Sequence, residues 1–186
     1  MTRLEYLRSL VIIILSATLL CGCADWGLKR AIKAYRGDGR IQYLEAPMLG
    51  ASGCAIQMPT LDLSQPVHVQ YDFTGIPAGV GKYWIYLVVS EPCPMQTVLQ
   101  GEFHLHVKKN NDKVRNLKSV VNNMINERGG NENRFYFESS SDSDQETSGI
   151  SVEDSTSKWF MAVSYTNAVL KEPVEAYILI TRGGCK

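Results

Sequence analysis

The chain has 186 residues, with 19 Lys and Arg against 19 Asp and Glu, so its formal net charge is zero. That balance excludes nucleic-acid binding driven by bulk charge, which needs a basic excess or a clustered basic stripe. Hydrophobic residues at 45% and charged residues at 20% are the composition of a globular domain rather than a disordered chain, and the length suits one domain.

Met1 to Leu10 carries Arg3 and Arg8 against Glu5, and Leu10 to Leu20 (LVIIILSATLL) is almost wholly apolar. The run is shorter than the roughly 20 residues a membrane-spanning helix needs. It fits the core of a secretory signal peptide, roughly 7–15 residues long. Leu20-Cys21-Gly22-Cys23 follows. These four residues resemble the lipobox of bacterial lipoproteins, in which an aliphatic residue, a small residue and Gly or Ala precede a Cys. Cys21 is the poorer acceptor because the bulky Leu20 precedes it.

The resemblance covers the first 23 residues. It implies a signal peptide over residues 1–22, cleavage after Gly22, a diacylglyceryl thioether on Cys23, and an acylated amine of the palmitate type. Each buried methylene contributes about 0.8 kcal/mol, so two or three acyl chains hold a protein to a bilayer almost permanently. Ala24, next to the modified Cys, implies the periplasmic face of the outer membrane. Asp is the usual signal for inner-membrane retention at that position, and Asp25 stands one residue later.

Removing 22 residues leaves 164, with 17 basic and 18 acidic side chains, a net charge of −1. Lipidation consumes Cys23, and Cys54, Cys93 and Cys185 remain. In an oxidising compartment three thiols give one disulfide and one odd cysteine. Cys54–Cys93 is the preferred pair, because Ala51-Ser52-Gly53-Cys54 and Glu91-Pro92-Cys93-Pro94 are both turn-rich. Cys93–Cys185 and Cys54–Cys185 are the alternatives. A bridge closing about 40 residues contributes on the order of 3–4 kcal/mol. No Cys-x-x-Cys is present, which speaks against a thioredoxin-type site or a zinc ribbon.

Trp26 to Arg36 places Leu28, Ile32 and Tyr35 at helical spacing, with Lys29, Arg30, Lys33 and Arg36 as a basic face and Gly37 as a stop. Residues 38–60 read as irregular, punctuated by Gly and Pro. From there strands recur. Val67, Val69, Tyr71 and Phe73 alternate with polar residues. Tyr83 to Val89 (YWIYLVV) is continuously apolar, the mark of a strand buried on both faces. Phe103, Leu105 and Val107 alternate again. Val114, Leu117, Val120, Val121, Met124 and Ile125 fall on one helical stripe ended by Gly129-Gly130, which predicts an amphipathic helix. Residues 134–138, 149–153, 159–165 and 174–181 complete the strands, and residues 139–147 (SSSDSDQET) form a polar acidic stretch.

Six to eight strands without a βαβ rhythm predict a mainly β fold: an antiparallel β-sandwich, immunoglobulin-like or jelly-roll-like, with one amphipathic helix. The expected organisation is a leader over residues 1–22, a lipidated N-terminus with a short helix and linker over 23–60, and the sandwich over 61–186.

His104 and His106, two residues apart on one strand, project to one side and form a two-ligand start for zinc or copper. His68 is the third candidate, and Asp72 or Glu102 a fourth. A solvent-facing role on amphipathic strands is the plainer account of all three histidines. Asp142, Asp144 and Glu146 resemble half of a calcium loop, but Thr147 stands where such a loop needs Gly, which leaves an acidic loop as the better reading. Gly-x-Ser-x-Gly, His-Glu-x-x-His, a P-loop and a dinucleotide fingerprint are all missing from the sequence, so no catalytic residue and no cofactor site is assigned. Tyr83, Trp84, Tyr86, Trp159 and Phe160 are read as core or sheet-face aromatics.

The expected function is a non-enzymatic, lipid-anchored periplasmic protein-binding module. Within that class the lean is towards an immunity or inhibitor lipoprotein that neutralises a toxin delivered into the periplasm. The alternatives are a metal-binding protein or hydrolase on His68, His104 and His106, and a structural accessory of envelope assembly. The expected partners are the lipid bilayer, through acylated Cys23, and a protein, with no nucleic acid.

Overall fold

In the computed structural model of the chain, residues 26–45, 52–79, 81–90, 102–110, 115–125, 132–139, 149–166 and 173–182 are described. A short helix, α1, covers residues 26–32. Among the described residues twelve strands follow: β1 (Arg36–Gly37), β2 (Arg40–Leu44), β3 (Gly53–Gln57), β4 (Leu61–Asp62), β5 (Val67–Thr74), β6 (Lys82–Ser90), β7 (Glu102–Lys109), β8 (Arg115–Ile125), β9 (Glu132–Ser139), β10 (Gly149–Ser151), β11 (Lys158–Thr166) and β12 (Glu175–Arg182). Every pairing among them is antiparallel.

The strand order is β1-β5-β11-β7-β8-β9-β6-β12-β3-β2, with β10 beside β6 and β4 beside β12. This long sheet folds over on itself into a sandwich. Tyr71, Met161 and Leu105 from the β5-β11-β7 layer and Ile85, Ile178 and Ile56 from the β6-β12-β3 layer belong to one buried cluster. Burying each such side chain contributes about 1.5–3 kcal/mol, so the face-to-face packing is the main force holding the layers together. The alternation of β5 follows directly. Val67, Tyr71 and Phe73 are buried, while His68, Gln70 and Asp72 are exposed.

The β8–β9 pair carries the sheet from one layer to the other. On the opposite side no ladder joins β1 to β2 among the described residues. One chain segment serves both layers instead, with Gly37 opposite Phe73 on β5 and Arg40 opposite Gln57 on β3. Gly37 and Gly39 make the change of direction at φ +113° and +87°, a region that L side chains disfavour. A Cβ on Gly37 would sit 2.2 Å from the Asp72 carbonyl oxygen. Between the glycines, the Asp38 amide donates to the Asp72 carbonyl at 3.0 Å, and the Asp72 amide donates to Asp38 Oδ2 at 2.8 Å. The carboxylate thus stands in for a strand where the ladder breaks.

Two expectations are corrected. Residues 38–60 are not an irregular linker: β2 and β3 lie within them, and the sandwich begins at Arg36 rather than at residue 61. Their brevity hid them, since five-residue strands between glycines carry little periodicity. The second correction concerns the amphipathic helix expected on Val114 to Ile125; Val114 lies outside the described residues, which leaves Leu117, Val120, Val121, Met124 and Ile125. Those residues lie in β8, which pairs with β7 (Leu117 opposite Leu105) and with β9 (Leu117 opposite Ser139). Val, Asn and Ser, which fill this segment, are weak helix formers, and pairing on both edges supplies the backbone bonds a helix would have made internally. The helix-like spacing arises because the β8–β9 register shifts between Ser119 and Met124, which breaks strict alternation.

Candidate binding face

Strand β11 lies between β5 and β7, and its register aligns outward residues in rows. His68, Ser164 and His104 form one row, Gln70, Ala162 and His106 the next, and Asp72, Phe160 and Lys108 the third. The outward residues of the central strand are small at positions 162 and 164, whereas both neighbours carry long side chains. The face is therefore a shallow trough. Its floor is Ala162 and Ser164, its walls are His68 and Gln70 on one side and His104 and His106 on the other, and half-buried Phe160 stands at one end. Two strand spacings, about 10 Å, separate the walls. Phe160 sits between a carboxylate and an ammonium, an aromatic with polar flanks of the kind that anchors interfaces.

The expected metal ligands thus share this face, but β11 separates His68 from His104. Among the described residues no group of three His, Cys, Asp or Glu side chains is placed to hold a metal ion. Of the calcium-loop residues, Asp142, Asp144 and Glu146 lie outside the described residues, and so does the acidic stretch at 140–148.

The second chemically notable cluster is at the start of β6. Cys54 is buried and free, with its sulfur 3.3 Å from the Tyr83 hydroxyl. Tyr83 donates its single proton to the Pro77 carbonyl at 2.7 Å, so the thiol donates to the tyrosine oxygen. Arg182, opposite Cys54 in the ladder, lies over the Tyr83 ring at 5.8 Å. Burial is the main influence on the Cys54 thiol and pushes it up, while the nearby Arg182 charge pulls weakly the other way. Burial likewise raises Tyr83 far above its ordinary range. A protonated, enclosed thiol is a packing residue, not a nucleophile.

No disulfide is seen at Cys54 among the described residues. Cys93 lies outside the described residues, as do Cys23 and Cys185.

The aromatics divide as the strand pattern requires. Tyr83, Tyr86 and Trp159 are buried, Phe160 is half-buried, and Trp84 is 36% exposed. The short helix forms over residues 26–32 of the expected 26–36, and Arg36 and Gly37 belong to β1 instead; Leu28 and Ile32 pack on the main core and Tyr35 is buried against Phe73 at a ring separation of 6.4 Å. Among the described residues no helix is long and apolar enough to cross a membrane. The trough itself was not read from the sequence. The small outward residues of β11 are visible in WFMAVSY, but their insertion between two distant strands is not. No protein-family model matches the chain, and no curated protein matches it either.

Proposed function

We propose that the chain is a lipid-anchored periplasmic protein-binding module, attached through acylated Cys23 to the outer membrane, and that it acts as an immunity or inhibitor lipoprotein against a toxin delivered into the periplasm. The observation that carries this reading is the trough along β11. It is a water-facing groove about 10 Å wide, with a small-residue floor and a half-buried aromatic at one end. Such a groove suits an extended segment or loop of a protein, with Phe160 as the apolar anchor and the flanking polar side chains fixing register. The lipobox resemblance supplies the location. An anchored inhibitor stays concentrated at the membrane an incoming effector must pass.

The test is capture of partners by the mature protein, in parallel with a Ser164→Arg variant that fills the trough floor. One dominant partner held by the parent and lost by the variant, with unchanged circular dichroism, is the expected result. Equal capture by both proteins, or no partner together with undiminished tolerance of neighbouring toxin-producing strains when the gene is deleted, overturns the proposal.

A further inference from the structure

Helix α1 has two unlike faces. Leu28 and Ile32 turn inward onto the core, while Trp26, Lys29, Arg30 and, in the turn just after the helix, Lys33, spaced three and four apart, share the opposite side and are all exposed. Trp26 is 66% exposed, the more exposed of the two large hydrophobics at the surface of the described residues. The Arg30 guanidinium lies 5.6 Å from the Trp26 ring, and the Lys29 ammonium lies 4.6 Å from the Tyr43 ring on β2. Arg36 folds back beneath the helix end, donating to the carbonyls of Lys33 at 2.7 Å and Tyr35 at 2.6 Å, and adds a fourth exposed charge. Of the exposed carboxylates nearby, Asp38 is turned to the Asp72 amide.

We propose that this outward face of α1 is a docking surface for the anionic headgroups of the bilayer, and that it sets the orientation of the sandwich on the membrane. The inference rests on the lipid-anchor reading and adds to it. Two residues, Ala24 and Asp25, separate Cys23 from Trp26, a reach of at most about 10 Å, so an acylated Cys23 brings the helix within about one Debye length of the headgroups. There each Lys or Arg strengthens association with an anionic surface about fivefold, and an amphipathic indole ring sits at headgroup depth. A sandwich held by the lipid alone would tumble on its tether. One also seated on Trp26 and the basic side chains keeps a fixed side towards the membrane and the rest of its surface towards the periplasm.

The experiment uses residues 23–186 with Cys23→Ser, a chain that keeps every described element and has no acyl group. Its partition onto vesicles of phosphatidylcholine alone is compared with vesicles carrying phosphatidylglycerol. The expected result is association with the anionic vesicles only, weakened by salt. It falls on the order of a hundredfold in K29Q/R30Q/K33Q and severalfold in W26A, with circular dichroism unchanged, because all four side chains are exposed. Equal binding to both vesicles, binding to neither, or parent-like binding by the triple variant overturns the proposal. Intact mass of the full-length chain from a bacterial host reads the anchor separately. An unmodified Cys23 sinks the lipoprotein reading and, with it, the proposed membrane role of this face, whatever the vesicles show.

Discussion

The two layers of the sandwich share one core but present different outer faces. In the β6-β12-β3 layer, Tyr86, Val88, Leu179 and Ala55 form a second buried cluster on the far side from the main core. In the β5-β11-β7 layer, the corresponding positions are His68, Gln70, Ala162, Ser164 and His106, none of them buried. One layer is closed on both sides and works as a scaffold. The other is closed on one side only and leaves a polar, grooved surface open to water. The division is written in two hydrophobic periods: YWIYLVV is continuous in β6, whereas β5 and β7 alternate.

The heaviest blow to this arrangement falls on the segment that belongs to both layers. Gly37→Ala would impose a positive φ on a residue with a Cβ and drive that Cβ into the β5 backbone, with Phe73 Cα at 2.7 Å as well as the Asp72 oxygen. The expected loss is about 3 kcal/mol or more, read as a lowered urea midpoint. An unchanged midpoint would mean that the β1–β5 contact does not hold the layers together.

A smaller effect separates the outer faces themselves. Val88→Thr places a hydroxyl in a fully buried site and is expected to cost about 1–3 kcal/mol. Ala162→Thr, on the trough floor, is expected to stay within about 0.5 kcal/mol of the parent. Equal losses at the two sites would erase the distinction between scaffold and open face.

Much of this division is legible in the sequence, and its limits have physical causes. Local period identifies β5, β6, β7, β11 and β12, because each buries a regular set of side chains. It fails at β8, where a register irregularity imitates helical spacing, and at β2 and β3, which are too short to show a period. Pairing is the deeper obstacle. β11 begins 84 residues after β5 ends, yet lies against it along its whole length, and no local signal records that neighbour. The trough exists only through that pairing, so the histidines were legible as a strand pattern and the groove between them was not.

The smallest expected effect concerns the crossings between the layers, where three aspartates recur. Asp38 braces the switch from β1 to β2. Asp62 accepts from the Ser64 amide at 2.9 Å as the chain leaves β4 for β5. Asp154 accepts from the Thr156 amide at 2.9 Å as it leaves β10 for β11. Each side chain caps a backbone donor that the break in the ladder leaves over. Amide and hydroxyl donors hold the Asp62 and Asp154 carboxyls below their ordinary value of 3.8. A folded-state value below the unfolded one means these groups support the fold fully above that pH. Their support is then lost as pH falls through 3.8 towards the lower folded-state values. Both carboxylates face water, so the effect is modest. The D62N/D154N double variant keeps an oxygen to accept each amide but cannot titrate. Its urea midpoint is expected to fall less than the parent's between pH 5 and pH 2, and an identical slope for the two proteins would show that these crossings take no strength from the charge.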